Sequence, residues 1–136
     1  MDNKITYLNT DLDLQSANDI SKLASFFEAR GMKLLHVTPS NDATWYATIE
    51  PDISHDEPAT DIDLLLTVFE SMPESLQTEW FSCSSREFNI GYDCGDEPWA
   101  FNQAIPSDLL GRLAKASGTL RITLYPDRPY PSEAHR

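Results

Sequence analysis

The sequence has no lysine or arginine between Lys33 and Arg86, although acidic residues recur throughout that stretch. Over the whole chain 22 acidic residues stand against 10 basic ones, which gives a formal net charge of −12. Such a protein repels the phosphates of nucleic acids and anionic lipids, and it attracts basic proteins. The charge therefore argues against nucleic-acid and membrane partners and favours a basic protein partner. Acidity of this degree also serves solubility alone.

Cysteine, glycine and long apolar runs are scarce as well. Two cysteines, Cys83 and Cys94, are too few for a disulfide framework or a zinc site, and five dispersed glycines form no phosphate-binding loop. The first residues lack the basic and apolar regions of a secretory signal, and no apolar run has membrane-spanning length. We therefore expect a cytoplasmic protein that holds no cofactor and no metal.

The 136 residues, 40% of them hydrophobic, suit one domain with one core. Alternation and helical spacing predict the order β α β β α β α β. The strands are expected at 5–14, 33–37, 44–50, 86–92 and 120–124. Helices are expected between Ser16 and Gly31, between Thr60 and Pro73 and between Pro106 and Gly118, with a short helix opened by Pro73. The domain spans 1–126, and 127–136 form a flexible tail.

This order predicts an α+β fold. Its first six elements match the ferredoxin-like split βαβ pattern, an antiparallel sheet with helices on one face, and the last helix and strand extend it. The other face of such a sheet is solvated or binds a partner. By strand parity that face carries Tyr7, Asn9, Asp11, Tyr46, Thr48, Glu50, Glu87, Asn89, Arg121, Thr123 and Tyr125, and Asp13 shares the parity of Asn9 and Asp11. We single out Asn9, Asp11, Asp13, Tyr46, Glu50 and Asn89 as candidate binding residues, because tyrosines, amides and carboxylates are suited to protein binding.

Three segments carry a resemblance to other proteins: Tyr7 to Leu14, Phe88 to Gly95 and Leu120 to Tyr125. They resemble those of a family of small bacterial α+β domains with no assigned function. In that family a strand, a loop and a helix ending in glycine lead into a final strand ending in tyrosine. The resemblance covers most of the chain, and it implies a fold but no catalytic residue.

A second group of candidate binding residues lies after the fourth predicted strand. Asp93, Asp96, Glu97, Trp99 and Asn102 place carboxylates, an aromatic ring and an amide on a loop held by a strand. The alternative is structural, because Asp and Gly are ordinary turn residues. In that case Trp99 and Phe101 close the core under the loop.

Reaction chemistry finds little support. The loop from Asp52 to Glu57 offers oxygen ligands and His55, but it lacks the spacing of a calcium loop and a second histidine for zinc. Ser54, His55 and Asp56 are contiguous, so their side chains diverge and form no relay. We assign no catalytic residue.

The leading hypothesis is a non-catalytic domain of immunity or antitoxin type that neutralises a basic partner, such as a nuclease toxin. It depends on the central third of the chain presenting one continuous anionic surface. The first alternative is a small-molecule-binding domain or an enzyme with its site around Asp93 to Asn102. The second is a homodimeric scaffold that pairs its sheet faces.

Overall fold

The computed structural model describes residues 3–39 and 43–126. The elements are β1 (Thr6–Ser16), α1 (Ser21–Ala29), β2 (Met32–Pro39), β3 (Trp45–Pro51), α2 (Pro58–Glu70), α3 (Glu74–Ser82), β4 (Ser85–Asp93), α4 (Ser107–Lys115) and β5 (Thr119–Tyr125). The predicted tail at 127–136 and the predicted turn residues 40–42 lie outside the described residues. The α+β class is confirmed.

The five strands form one mixed, open sheet in the order β2-β3-β1-β4-β5. The pairs β2 with β3, β3 with β1 and β1 with β4 are antiparallel, whereas β4 and β5 are parallel. The expectation of a wholly antiparallel sheet is therefore wrong at its last strand. The reason is that α4 carries the chain back across the sheet, so β5 runs in the same direction as β4.

The core lies between one face of this sheet and the helices. Leu12, Ile49 and Phe88 supply fully buried side chains from β1, β3 and β4, and Phe27 and Leu65 supply them from α1 and α2. The alternate residues of these strands are only half-buried, so the second face of the sheet carries no helix in the described part of the chain. None of the described helices has the length and apolarity needed to traverse a bilayer.

Trp80 of α3 is the largest fully buried side chain. Its ring centroid lies 4.7 Å from that of Phe69, and its indole Nε1 donates to the Ala116 carbonyl over 2.8 Å. Ala116 is the C-cap residue of α4, and carbonyls at this end of a helix lack partners within it. Trp80 therefore packs the core and also satisfies the end of α4.

A β-bulge in β1 changes the side on which Tyr7 lies. The register with β4 shifts between Tyr7 and Asn9, so the alternation is broken at Leu8. Tyr7 consequently points into the core and is 7% exposed, whereas Leu8 is 37% exposed. The prediction that Tyr7 lies on the open face is wrong, because simple parity ignores the extra residue.

Two predicted helix starts are also wrong. Ser16 ends β1 and is buried, and α1 begins at Ser21, whose amide donates to Asp19 Oδ1 over 2.8 Å. Helix α2 begins at Pro58, two residues before the predicted start at Thr60. Proline suits a first helical turn because its missing N–H has no intrahelical partner there.

We predict that Trp80→Phe lowers the free energy of unfolding by about 2–4 kcal/mol, because it shrinks a core side chain and leaves the Ala116 carbonyl without its donor. Trp99→Phe is the matched control: Trp99 is 98% exposed, so the same change should stay within about 0.5 kcal/mol. Urea denaturation of both variants measures the difference, and equal losses would contradict this account of Trp80.

Candidate functional site

The open face of the sheet brings the first group of predicted residues together. In the strand registers Asp11 lies opposite Asn89, Asp13 lies opposite Thr48 and Glu87, and Tyr46 lies opposite Gln15. Directly opposed residues share a face of a sheet. Asn9, Asp11, Asp13, Tyr46, Glu50 and Asn89 therefore all lie on the face that the described helices leave open.

Hydrogen bonds fix the centre of this face. The Asn9 amide nitrogen donates to Glu50 Oε2 over 2.7 Å and to Asp11 Oδ1 over 3.2 Å. The Thr48 hydroxyl donates to Asp13 Oδ1 over 2.9 Å. We call Asn9, Asp11, Asp13 and Glu50 the acidic face.

The carboxylates of the acidic face are crowded enough to alter the titration of Asp11. Burial, then a hydrogen bond to Glu50 and the charges of Glu50 and Asp13, raise the pKa of Asp11 to about 7. Near pH 7 the Asp11 carboxyl is therefore about half protonated. A cation placed against it would lower its pKa and favour full ionisation.

No ion pair between described residues includes Asp11, Asp13 or Glu50. Lys33 lies opposite Glu50 in the register of β2 and β3, and Arg121 binds Glu87 at the far side of the face. The charge of the acidic face is therefore not neutralised by a direct contact within the described residues.

The central third of the chain does not form one anionic surface. Asp61 is buried, and Arg112 of α4 binds both Asp63 and Glu70 on α2. Glu50 lies on the opposite side of the molecule, on the acidic face. The expected continuous surface is wrong for these residues, because sequence neighbours in a helix and a strand face different layers of the fold.

The second group of predicted residues lies in the segment that follows β4. Asp93, Asp96, Glu97, Trp99 and Asn102 are all exposed, and the segment 99–106 has no regular secondary structure. Trp99 is 98% exposed, so the expectation that it closes the core is wrong. Phe101 does pack inward, with its ring centroid 5.9 Å from that of Tyr92.

A cavity of about 360 Å³ lies beneath this segment. It opens where β4 and β5 end, which is where ligands bind in sheets with parallel strands. We call it the end cavity, and its lining is Ile5, Tyr92, Cys94, Gly95, Phe101, Gln103 and Leu124. None of these seven residues was a predicted binding residue, although the segment from Asp93 to Asn102 contains three of them, Cys94, Gly95 and Phe101.

The walls of the end cavity are fixed by contacts along the chain. The Tyr92 hydroxyl donates to Gln103 Oε1 over 2.8 Å, and Gln103 Nε2 donates to the Asp56 carbonyl over 2.8 Å. Gly95 touches the Asn3 backbone so closely that a Cβ atom would lie 2.3 Å from the Asn3 oxygen. Only glycine allows this approach, which holds the N-terminal segment against the cavity.

A buried polar network behind the end cavity was not predicted from the sequence. Asp61 is 2% exposed, accepts a hydrogen bond from the Tyr7 hydroxyl and lies 2.6 Å from His55 Nδ1 through its other oxygen. The Tyr7 hydroxyl also lies 2.7 Å from the Thr10 hydroxyl. No local signal joins these residues, because Tyr7 and Asp61 are 54 positions apart and the bulge decides where Tyr7 points.

The network is chemically suited to anchoring the loop that carries His55. Burial, followed by the hydrogen bond to Asp61, raises the pKa of Tyr7, so its hydroxyl stays protonated and donates to Asp61. His55 lies beside Asp61 and not Asp56, as the divergence of the contiguous triplet predicts. In the described ranges no three His, Cys, Asp or Glu side chains are arranged to hold a metal ion.

Comparison with known proteins gives no family for this chain. No protein-family model matches it, and neither a curated protein nor a solved structure matches it significantly.

We predict that Asp11→Asn flattens the dependence of stability on pH. The Asp11 pKa is about 7 in the folded protein and near 3.8 when unperturbed, so the folded state binds the proton more tightly. The contribution of Asp11 to stability is fully present below pH 4 and is lost as the pH rises through 7.

Urea denaturation at intervals between pH 4 and 8 measures this effect as the difference between wild type and variant. Asp56→Asn, on an exposed loop, controls for the change in net charge. A wild-type curve that gains stability relative to Asp11→Asn across this range would contradict the raised pKa.

Proposed function

We propose that the protein is a non-catalytic binding domain of immunity or antitoxin type, which neutralises a basic protein by docking the acidic face against its cationic surface. The observation that carries the proposal is the crowding of Asp11, Glu50 and Asp13, which form no ion pair with any other described residue. Like charges held together reduce the stability of the free protein, and a partner's lysine or arginine relieves that repulsion. Fast, salt-sensitive association follows from the net charge.

The surroundings of the acidic face support protein binding. Tyr46 adds a partly exposed aromatic ring on β3, and Asn89 and Thr123 add hydrogen-bonding groups toward β5. A sheet face is rigid, so its side chains lose little freedom on docking. Nucleic acid and anionic membranes are disfavoured by the same charges.

A charge-matched pair of variants tests the docking surface. Asp11→Asn/Asp13→Asn should weaken binding of a lysine-rich peptide at low salt by about tenfold. At about pH 9, well above the Asp11 pKa of about 7, Asp52→Asn/Asp56→Asn removes the same charge from an exposed loop and should have a much smaller effect. Calorimetry measures affinity, and NMR should show the largest shifts at the side-chain amides of Asn9 and Asn89. Equal weakening by both variants would indicate unspecific attraction.

Neutralisation needs a separate test in cells. The first step selects basic proteins that are captured by wild type and by Asp52→Asn/Asp56→Asn but not by Asp11→Asn/Asp13→Asn. Each selected protein is then expressed in cells, alone and together with this protein. A captured protein whose growth inhibition is relieved by co-expression supports the proposal. Capture without relief would leave a binding domain and remove the immunity role.

We further propose that β1 to β4 with α1 and α2 form a ferredoxin-like split βαβ core, extended by α4 and β5. The strand order β2-β3-β1-β4 and the three antiparallel pairs support this assignment. A cytoplasmic location is also proposed, since Cys83 and Cys94 are free thiols.

The end cavity favours a second candidate function, which is binding of a small, largely apolar molecule. Its volume of about 360 Å³ is within the range of ligand pockets, and Tyr92 and Phe101 supply aromatic walls. Asp93, Asp96 and Glu97 lie in the adjoining segment, so an uncharged or cationic molecule fits better than an anion.

A fragment screen by ligand-observed NMR tests the end cavity. We predict that Phe101→Ala weakens any fragment bound there by about tenfold, because one aromatic wall is lost. Phe81→Ala, an exposed aromatic of α3 distant in sequence, is the control and should leave binding unchanged. Fragments that bind both variants equally would place the ligand elsewhere.

A further inference from the structure

Strand β5 leaves an apolar edge open among the described residues. It is the last strand of the sheet, and Leu120, Ile122 and Leu124 are 37%, 61% and 63% exposed. Leu120 and Ile122 lie opposite the buried Phe88 and Ile90, and Leu124 lies opposite the half-buried Tyr92, so these side chains lie on the core face but are not covered by the helices. An open strand edge with exposed apolar side chains is a site for pairing with another chain.

The opposite edge of the sheet is protected against such pairing. Strand β2 carries Lys33, ends in Pro39 and contains a bulge after Leu34. Lysine, proline and bulges all hinder strand addition. Strand β5 contains no lysine, no proline and no acidic residue, and its one charged side chain, Arg121, already binds Glu87. The two edges are therefore built differently.

We propose that a second copy of this chain pairs with β5 to form a twofold-symmetric dimer, in which two antiparallel β5 strands join two sheets into one. The occupant has to supply a strand edge and apolar side chains at alternate positions, because the one charged side chain of β5, Arg121, is already paired with Glu87. Two copies of a chain with net charge −12 repel each other elsewhere, and at β5 they meet without acidic residues.

The strand itself fixes the register of the dimer. Centring the twofold axis on Ile122 pairs all seven residues of β5, with Leu120 opposite Leu124 and Arg121 opposite Thr123. A shift toward the start of β5 that centres the axis on Arg121 sets two like charges directly opposite each other, which is unfavourable. The arrangement is isologous, so both copies use the same surface.

Dimerisation also completes the end cavity. Leu124 lines that cavity and is 63% exposed, which leaves one side of the cavity open. In the proposed register Leu120 of the second copy lies beside Leu124 and extends the apolar wall. This inference goes beyond the proposed binding function and does not depend on it.

Sedimentation velocity of the full chain over a wide concentration range tests the dimer. Wild type should sediment with twice the mass of the chain. Ile122→Lys should raise the dimer Kd by about tenfold or more, because it removes an apolar contact and sets two lysines opposite each other. Leu35→Lys, at a 44% exposed apolar residue of β2, is the matched control and should leave the dimer intact. Circular dichroism checks that both variants fold.

Three outcomes would overturn the proposal. The first is a wild-type chain that is monomeric at every concentration, and the second is an equal effect of the two lysine substitutions. The third is a monomer that dimerises only after removal of residues 127–136, which would mean that the chain's own tail covers β5.

Added salt separates this proposal from the proposed function. It screens the repulsion between acidic copies and so strengthens the dimer, whereas it weakens binding to a basic partner.

Discussion

The pairing of β1 with a neighbour on each side is the constraint on which the rest of the structure depends. Its residues from Leu12 to Gln15 are hydrogen-bonded in register to both β3 and β4, so each side chain there is assigned to one face. Leu12 and Leu14 enter the core, and Asp11 and Asp13 are held on the open side. The crowded carboxylates follow from this assignment, because a strand fixed on both edges cannot rotate its charges apart.

Alternation was sufficient to predict most of the elements and most of the acidic face. The faces of β3 and β4 were predicted because Ala47, Ile49, Phe88 and Ile90 repeat at every second position. Asn9, Asp11 and Asp13 were predicted because they lie beyond the bulge, where simple parity holds. The face of Tyr7 was predicted wrongly, because one extra residue reverses the side to which a strand residue points.

The remaining features depend on contacts between distant parts of the chain. The direction of β5 depends on where α4 packs, and nothing in Thr119 to Tyr125 distinguishes a parallel from an antiparallel strand. The partners of Asp61 come from β1 and from the loop before α2, at separations that no local pattern reports. The end cavity likewise combines Ile5 with residues from β4, β5 and the segment after β4.

Cations are distributed unevenly over the layers of the fold. Arg112 holds Asp63 and Glu70 together between α4 and α2, and Arg86 donates to carbonyls at the ends of α3 and α4. Both arginines therefore stabilise the helical layer. On the sheet, Arg121 of β5 binds Glu87 and Lys33 of β2 lies opposite Glu50, but no ion pair between described residues includes the carboxylates of β1. Among the described residues, Asp63 and Glu70 of the helical layer are thus paired with an arginine, whereas the carboxylates of the acidic face are not.

The three tryptophans lie in three different environments. Trp80 is fully buried, Trp45 is half-buried at the start of β3, and Trp99 is almost fully in water. A soluble quencher will therefore reach the indole of Trp99 first, while the emission of Trp80 is shielded by the surrounding rings. The intrinsic fluorescence of the unlabelled protein consequently carries separate signals from the interior and from the segment beside the cavity.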